Sequence, residues 1–337
     1  IRNYLNMNIQ FFECSTKFES DFIERTLIDI ACIESGMLTK NKIDNKKKFF
    51  DFINLNKGIP IAIPYIPEIL DSNSIFKIGM SDYSNIIYGK KSEEYIGTKL
   101  SYSTNLFVSN YKIKSEYRVI IDNYIKEILD TKFKISQLKV KYKTIGAFQT
   151  RNIPHLGHEK IIEMMLDHCD LVVINPILGP KKPDDVNTER LKFIYNNILK
   201  PRFNNRILFI PLRANMFYAG PREALHHTLI REWLGFSHFS VGRDHAGSDN
   251  FYQPEEAKNT LKRYQDLFNI KILYHNGAYF CKPCNKIILK GSCKHNFYEL
   301  KEVSGSKFRN CLKSNKTYEY ASKDVQHWSK QNIKTLY

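Results

Sequence analysis

Residues 142–274 alternate short apolar runs with amphipathic segments, and this alternation constrains the fold more than any other feature. The amphipathic segments carry helix boundary signals, such as Pro221 at one start and Gly235 at the same helix's end. Apolar runs that predict buried strands lie at 142–148, 171–174, 207–210, 238–241 and 270–274. Strands that alternate with helices predict an α/β fold with a parallel sheet covered on both faces. Such sheets bind ligands beyond the carboxyl ends of their strands.

The N-terminal part of the chain shows weaker periodicity. A helix is predicted over 21–35, where Ile23, Leu27 and Ile30 follow helical spacing and Gly36 closes the segment. Short β-branched segments between turn residues follow it, and they predict a mixed, mostly β domain. We expect three parts: an N-terminal domain over 1–140, a parallel-sheet domain over 141–279 and a small C-terminal subdomain over 280–337.

The formal net charge of +16 allows two interpretations. One is an anionic partner, and the other is compositional bias, because the chain is rich in Lys, Asn and Ile together. Runs such as 40–48 are typical of solvated loops and come with no base-reading motif, so a nucleic-acid partner is not expected. No apolar run reaches membrane-spanning length. We expect a cytoplasmic protein and a homo-oligomer whose size the sequence does not reveal.

The segment 149–159, QTRNIPHLGHE, leaves the first predicted strand and enters a helix. A helix N-terminus presents free N–H groups and a positive dipole end, which suit phosphate. His155 and His158 are close enough to bracket one phosphate group, and Gly157 permits close approach of a ligand. This HxGH pattern is typical of nucleotidylyltransferases. Two such histidines can also cap a helix, line a polar core or bind zinc, although zinc usually requires more ligands.

Three motifs together make the chain resemble the ATP sulfurylase family. They are QTRN with HxxH at 149–158, YAGPREA at 218–224 and VGRDHAG at 241–247. Weaker matches lie at 25–29, 182–186 and 303–309. The resemblance implies a PUA-like N-terminal domain and a Rossmann-like nucleotidylyltransferase domain. It also implies that ATP and sulfate react to adenosine 5'-phosphosulfate and pyrophosphate, or the reverse.

The resemblance also assigns roles to individual residues. The catalytic residues would be Thr150, Arg151, Asn152, His155 and His158. Sulfate would be held by Gln149, Arg151 and the backbone N–H of Ala246. ATP would contact the same loop and Gly242, Arg243, Asp244, His245 and Ile272. Both substrates are anionic, so positioned cations and N–H donors are the main means of lowering the barrier. The planar guanidinium of Arg151 suits an oxyanion in bidentate fashion. Mg²⁺ is expected to arrive with ATP, because no acidic metal cage is visible.

Four potential metal ligands cluster near the C-terminus: Cys281, Cys284, Cys293 and His295. Their number and type fit a closed, tetrahedral, structural Zn²⁺ site. Some bacterial and archaeal members of the family carry such a cluster. The alternative is three ordinary thiols in a reducing compartment.

The chain departs from the family pattern at several points. Phe217 replaces an arginine expected before the tyrosine of YAGPREA, Ile153 and Pro154 reverse the usual order, and an N-terminal SPLxGFM segment is missing. Two other functions therefore stay open: a nucleotidylyltransferase with another oxyanion or phosphate acceptor, and a degenerate zinc-containing protein that binds nucleic acid. Within YAGPREA, Glu223 is expected to brace a helix start, and the following His226 and His227 to be ordinary helix residues.

Overall fold

The computed structural model describes residues 17–55, 58–89, 95, 97, 104–180, 186–243, 245–246 and 251–336, with the side chains of all of these except 17–20, 53–55 and 297. The helices are α1 Lys17–Glu34, α2 Lys46–Leu55, α3 Met80–Tyr88, α4 Ser115–Lys141, α5 Leu156–Leu166, α6 Thr188–Phe193, α7 Gly220–Leu234, α8 Glu256–Arg263, α9 Gly305–Lys313 and α10 Lys323–Gln331. The strands are β1 Lys42–Ile43, β2 Ile61–Pro64, β3 Leu70–Asp71, β4 Ile75–Lys77, β5 Leu106–Val108, β6 Lys112–Ile113, β7 Ile145–Phe148, β8 Leu171–Ile174, β9 Ile207–Phe209, β10 His238–Gly242, β11 Lys271–His275, β12 Ala278–Cys281, β13 Lys286–Leu289 and β14 Leu300–Glu302.

A five-stranded parallel sheet forms the centre of the molecule, in the order β11-β10-β7-β8-β9. The chain runs outward from β7 through β8 to β9, and then returns to place β10 on the other side of β7. This reversal creates a topological switch point, where the connections after β7 and β10 diverge and leave a crevice. The predicted parallel sheet is confirmed, and all five predicted strands belong to it.

Both faces of this sheet are buried, and residues alternate between them. Ile145 and Ala147 of β7 belong to one core, which also includes apolar residues of the N-terminal helices. Phe148 of β7 belongs to the second core, which includes residues of α5 and of the C-terminal helices. Because successive side chains of a strand point to opposite faces, a strand buried on both sides needs a continuous apolar run. The short apolar runs in the sequence meet this requirement.

The N-terminal part corrects one prediction: its described residues contain more helix than strand. The predicted helix over 21–35 is present as part of α1, and Gly36 follows it with φ +84°. The 27-residue helix α4 was missed, because its buried face consists largely of Tyr and Ile, which favour strands. These residues nevertheless recur at helical spacing, at Tyr117, Ile121, Tyr124, Ile128 and Ile135. The PUA-like fold and the domain boundaries stay predictions.

A small antiparallel sheet in the order β13-β12-β14 follows the central sheet. The β12–β13 hairpin packs against α5, so the C-terminal segment contacts the helix that follows the QTRN loop. A Cβ added to Gly157 would lie 3.2 Å from the Cβ of Ala278, which shows how close this contact is. Within the described residues, no helix is long and apolar enough to cross a bilayer.

Candidate active site

The loop after β7 enters α5 through a reciprocal cap made by two histidines. Nδ1 of His155 accepts the backbone N–H of Gly157 at 3.1 Å, and Nδ1 of His158 accepts the backbone N–H of His155 at 3.3 Å. Each neutral ring therefore carries its proton on Nε2. Burial lowers the pKa of His155 to about 4 and that of His158 well below its ordinary value. Both rings are thus neutral hydrogen-bond donors near pH 7.

Arg151 is held by an aromatic partner from the second motif. Its Nη1 donates to the hydroxyl of Tyr218 at 2.8 Å, and its guanidinium carbon lies 5.2 Å from the centroid of that ring. Tyr218 is fully buried and has a φ of 60°, a conformation that is uncommon outside glycine. Backbone conformations of this kind persist where the surrounding structure enforces them, and they cluster at functional sites.

Asn152 is tied to the C-terminal part of the chain. Nη1 of Arg309, on α9, donates to its Oδ1 at 2.7 Å. The backbone N–H of Asn152 donates to the hydroxyl of Thr150 at 3.3 Å, so the loop is also closed internally. The segment 303–309 therefore contacts the QTRN loop through Arg309, while Oγ of Ser304 accepts the backbone N–H of Lys307 and caps the start of α9.

A cavity of about 240 Å³ opens at the switch point, beyond the carboxyl ends of β7 and β10. Most of the predicted substrate residues line it, namely Gln149, Thr150, Arg151, Asn152, His158, Gly242, His245 and Ala246. The structure thus brings two motifs together that lie about ninety residues apart in the sequence. Ala246 has a φ of 55°, and its carbonyl accepts the N–H of Gly220 at 3.3 Å. This hydrogen bond joins the YAGPREA motif to the VGRDHAG motif.

Three predicted site residues do not line the cavity, and a fourth lies outside the described residues. His155 forms the helix cap and is not among the described residues that line the cavity. Arg243 points to the C-terminal sheet, where its Nη1 donates to Tyr279 at 3.1 Å. Ile272 packs against the first core. Asp244, like residues 182–185, lies outside the described residues.

Several lining residues were missed by the sequence analysis, and His275 is the clearest example. It pairs with Gly242 in the register of β10 and β11, and a Cβ on that glycine would lie 3.0 Å from its ring. Burial lowers the pKa of His275 to about 4. The rule that ligands bind at the carboxyl ends of parallel strands would have found it, because it ends the fifth strand. The others are Phe148, Ile161, Met216 and Ser240.

Three residues that line the cavity each carry a buried polar atom with no hydrogen-bond partner among the described residues. These atoms are Oε1 of Gln149, Oγ of Ser240 and Nδ1 of His275. An unsatisfied buried polar atom costs roughly 1–3 kcal/mol, and native proteins leave few of them. Their concentration around one cavity indicates that the site is built to receive a polar ligand.

Phe217, the departure from the family pattern, does not line the cavity. It is buried, its ring packs edge-on against His226 at 5.7 Å, and its backbone N–H donates to Oε1 of Glu223 at 2.8 Å. Oε2 of the same carboxylate accepts the N–H of Ala219 at 2.9 Å. Glu223 therefore braces the start of α7, as predicted.

The four predicted metal ligands come together on the C-terminal sheet. One ligand atom from each of Cys281, Cys284, Cys293 and His295 lies within 4.8 Å of the others. Nδ1 of His295 is 3.3 Å from Sγ of Cys281 and 3.2 Å from Sγ of Cys284. The sulfurs of Cys281 and Cys293 are 3.9 Å apart. Two sulfurs bound to one tetrahedral Zn²⁺ would be about 3.8 Å apart, so the spacing fits that ion.

Fold and site together define a doubly wound α/β protein with a polar, ligand-binding crevice at its switch point. The family model described as ATP-sulfurylase matches residues 128–323, which contain the sheet, the cavity and the Cys/His cluster. The chain belongs to the ATP-sulfurylase family.

Three curated relatives bear the name sulfate adenylyltransferase. The protein of Staphylothermus marinus is 32% identical over 266 residues, which cover 77% of this chain and 69% of the relative. That of Ignicoccus hospitalis is 33% identical over 77% of this chain and 66% of its own. That of Hyperthermus butylicus is 41% identical over 51% of this chain and 44% of its own, so the matched segment spans less than half of that relative. Among solved structures, a hexameric APS kinase from Thiobacillus denitrificans aligns with a TM-score of only 0.45 at 13% identity, over 60% of this chain and 39% of its own.

Proposed function

We propose that this chain is a sulfate adenylyltransferase, which joins ATP and sulfate into adenosine 5'-phosphosulfate and pyrophosphate, or catalyses the reverse. The observation that carries the proposal is the cavity at the switch point. This cavity is lined by the residues of the QTRN loop, a histidine of the HxGH pattern and residues of VGRDHAG, and the chain belongs to the ATP-sulfurylase family. Its buried, unsatisfied polar atoms support the binding of a highly polar ligand.

In the proposed reaction, a sulfate oxygen attacks the α-phosphorus of ATP. The new S–O–P linkage forms as the bond from the α-phosphorus to the bridging oxygen breaks, and that oxygen leaves with pyrophosphate. Sulfate enters as a dianion, so its attack requires no proton transfer. Catalysis then consists of positioning and of stabilising charge on the phosphoryl oxygens. Mg²⁺ bound to ATP would neutralise part of the triphosphate charge.

The roles of the side chains follow from their chemistry. The guanidinium of Arg151, oriented by Tyr218, offers paired N–H donors to sulfate, with Gln149 and the N–H of Ala246 beside it. Nε2–H of His158, which lies 3.4 Å from the hydroxyl of Thr150 in this structure, and the N-terminal end of α5 suit the phosphates. The neutral state of the histidine makes it a donor that adds no positive charge, and positive charge comes from Arg151 instead.

A direct assay tests this function. Purified protein is incubated with MgATP, and pyrophosphate release is measured with and without sulfate. The proposal expects release that depends on sulfate, and formation of ATP from adenosine 5'-phosphosulfate and pyrophosphate. A panel with molybdate, phosphate and other oxyanions at constant ATP distinguishes the acceptor. Turnover with another acceptor and none with sulfate would refute the proposal.

We also propose that Cys281, Cys284, Cys293 and His295 bind structural Zn²⁺. The number and type of ligands and the sulfur–sulfur distance support it, and four protein ligands leave no open coordination position. The metal would stabilise the β12–β13 hairpin that packs on α5. Elemental analysis should find one zinc per chain in the wild type and much less in Cys284→Ser. An equal metal content in both proteins would contradict the assignment.

A further inference from the structure

A row of three ionisable side chains leads from the interior of the molecule to the cavity: Glu223, His227 and His245. Glu223 and His227 are completely buried, one helical turn apart on α7. Nε2 of His227 lies 3.2 Å from Oε1 of Glu223, and its Nδ1 lies 3.1 Å from Nε2 of His245. His245 lines the cavity, so the row runs from the interior of the molecule to the proposed nucleotide site.

The direction in which hydrogen bonds are donated along these three side chains follows from Glu223, the innermost of them. Both oxygens of Glu223 accept backbone N–H groups, from Phe217 and Ala219, and these bonds oppose the rise in its pKa that burial causes, so the carboxylate acts as an acceptor. Nε2 of His227 lies 3.2 Å from Oε1 of Glu223 without hydrogen-bond geometry, but a lone pair at this distance would be repelled by the carboxylate, and we therefore place the proton on that nitrogen. Nδ1 of His227 is then an acceptor, and Nε2 of His245 must be the donor to it.

The same reasoning determines the tautomer of His245, the outermost of the three side chains. Burial lowers the pKa of His245 well below its ordinary value, with a further contribution from His227, so the ring is neutral near pH 7. A neutral imidazole with its proton on Nε2 has a lone pair on Nδ1. The cavity is therefore lined by two kinds of histidine: His158, a donor through Nε2–H, and His245, an acceptor through Nδ1.

We propose that Glu223 and His227 are positioning residues that fix the tautomer of His245, so that its Nδ1 accepts a hydrogen bond from the nucleoside part of the substrate. Phosphates and sulfate accept hydrogen bonds and cannot be recognised by an acceptor nitrogen. The donors of ATP are the two ribose hydroxyls and the adenine amino group, so this histidine selects for the nucleoside. The inference rests on the proposed adenine-nucleotide site, but not on sulfate being the acceptor.

The tautomer can be measured in the wild-type protein. Long-range ¹H–¹⁵N correlation spectra of histidine-labelled protein distinguish protonated from unprotonated ring nitrogens, and His245→Asn assigns the signals. We expect the proton of His245 on Nε2 and an unprotonated Nδ1. A proton on Nδ1 would overturn the proposal without any variant having to fold.

Binding provides the second test. Titration calorimetry without sulfate measures the affinity for ATP and for analogues that each lack one donor: 2'-deoxy-ATP, 3'-deoxy-ATP and purine riboside triphosphate. Wild-type protein should bind one of them about tenfold more weakly than ATP, as expected for one lost hydrogen bond. In His227→Leu, which cannot orient His245, this difference should shrink to about twofold or less. An equal penalty for every analogue in both proteins would overturn the proposal.

A conservative variant separates positioning from packing. The amide oxygen of His227→Asn can lie near the position of Nδ1 and still accept from His245, whereas His227→Leu cannot. We expect His227→Asn to keep most of the analogue discrimination, and His227→Leu to raise the KM for ATP with kcat nearly unchanged, the pattern of lost uniform binding. Equal behaviour of the two variants would show a packing role. If the wild type binds ATP but does not use sulfate, the proposed function fails while this test still applies.

Discussion

Single residues decide which parts of the site donate hydrogen bonds and which accept them. In the proposed reaction, Arg151 and the Nε2–H of His158 would provide donors where two anions meet. The orientation of Arg151 depends on the hydroxyl of Tyr218, which is not among the described residues that line the cavity. A guanidinium that is already held in place loses less conformational entropy on binding than a free one.

The first prediction concerns Arg151. Arg151→Ala should lower kcat/KM about 100- to 1000-fold, because removal of one positioned donor to developing charge costs roughly 3 kcal/mol. Tyr218→Phe is the matched control, since it keeps the ring and removes only the hydroxyl that orients the guanidinium. It should raise the KM for sulfate severalfold. Initial-rate pyrophosphate release measures both, and near-normal activity of Arg151→Ala would reject its role.

The second prediction concerns pH and stability. Burial lowers the pKa of His155 to about 4, of His226 to about 3 and of His275 to about 4. The unfolded chain binds these protons near pH 6.5 and the folded protein does not. The free energy of unfolding is therefore highest above that pH and decreases as the pH falls. From pH 7.5 to 5.5, each of these three histidines should cost about 1.4 kcal/mol, and His158, His227 and His245, whose pKa burial also lowers, add to the loss.

Urea unfolding at both pH values measures this difference. His226→Gln, which is outside the cavity lining, should reduce the difference by about 1.4 kcal/mol. His168→Gln changes an exposed side chain and should leave it unchanged. An equal free energy of unfolding at pH 7.5 and 5.5 would show that these histidines are not buried in their neutral form.

At the scale of elements, the QTRN loop is held by a C-terminal helix. Arg309 of α9 donates to Asn152 at 2.7 Å across 157 residues of sequence. We predict that Arg309→Gln lowers kcat roughly tenfold, because a hydrogen bond from a charged group contributes about 1.5–3 kcal/mol and part of this is screened here. The melting temperature should hardly change. Lys307→Ala, on the same helix and exposed, is the control and should keep normal activity.

The elements differ in how well the sequence predicts them. The central strands and α7 have local signals: apolar runs, Pro221 at the helix start and Gly235 with φ +97° at its end. The helix α4 has no such local advantage, because its Tyr and Ile residues favour strands and only their spacing indicates a helix. Contacts across the chain, such as Arg309 with Asn152 or Glu223 with His227 and His245, arise from tertiary packing and could not be read from the sequence.

For the whole molecule, the sheet is enclosed by two cores drawn from opposite ends of the chain. The N-terminal helices cover one face, and the C-terminal helices, with α5 and α6, cover the other. Since the cavity lies at the edge between these layers, its shape depends on both. The QTRN loop contacts the C-terminal part of the chain through α9, where Arg309 holds Asn152, and the β12–β13 hairpin packs on α5, the helix that follows the loop.

The last prediction follows from this arrangement. If zinc stabilises the β12–β13 hairpin, its loss should loosen the contact between Ala278 and Gly157. His158, one residue after Gly157, should then be held less firmly, even though the metal lies outside the cavity. We expect Cys284→Ser to lower the melting temperature by roughly 5 °C and kcat severalfold. Cys311→Ser, which changes a half-buried cysteine outside the cluster, is the matched control. Removal of zinc by a chelator should reproduce both effects in the wild type and leave Cys284→Ser unaffected. A zinc-free wild type with unchanged melting temperature and activity would mean that the hairpin holds α5 without a metal.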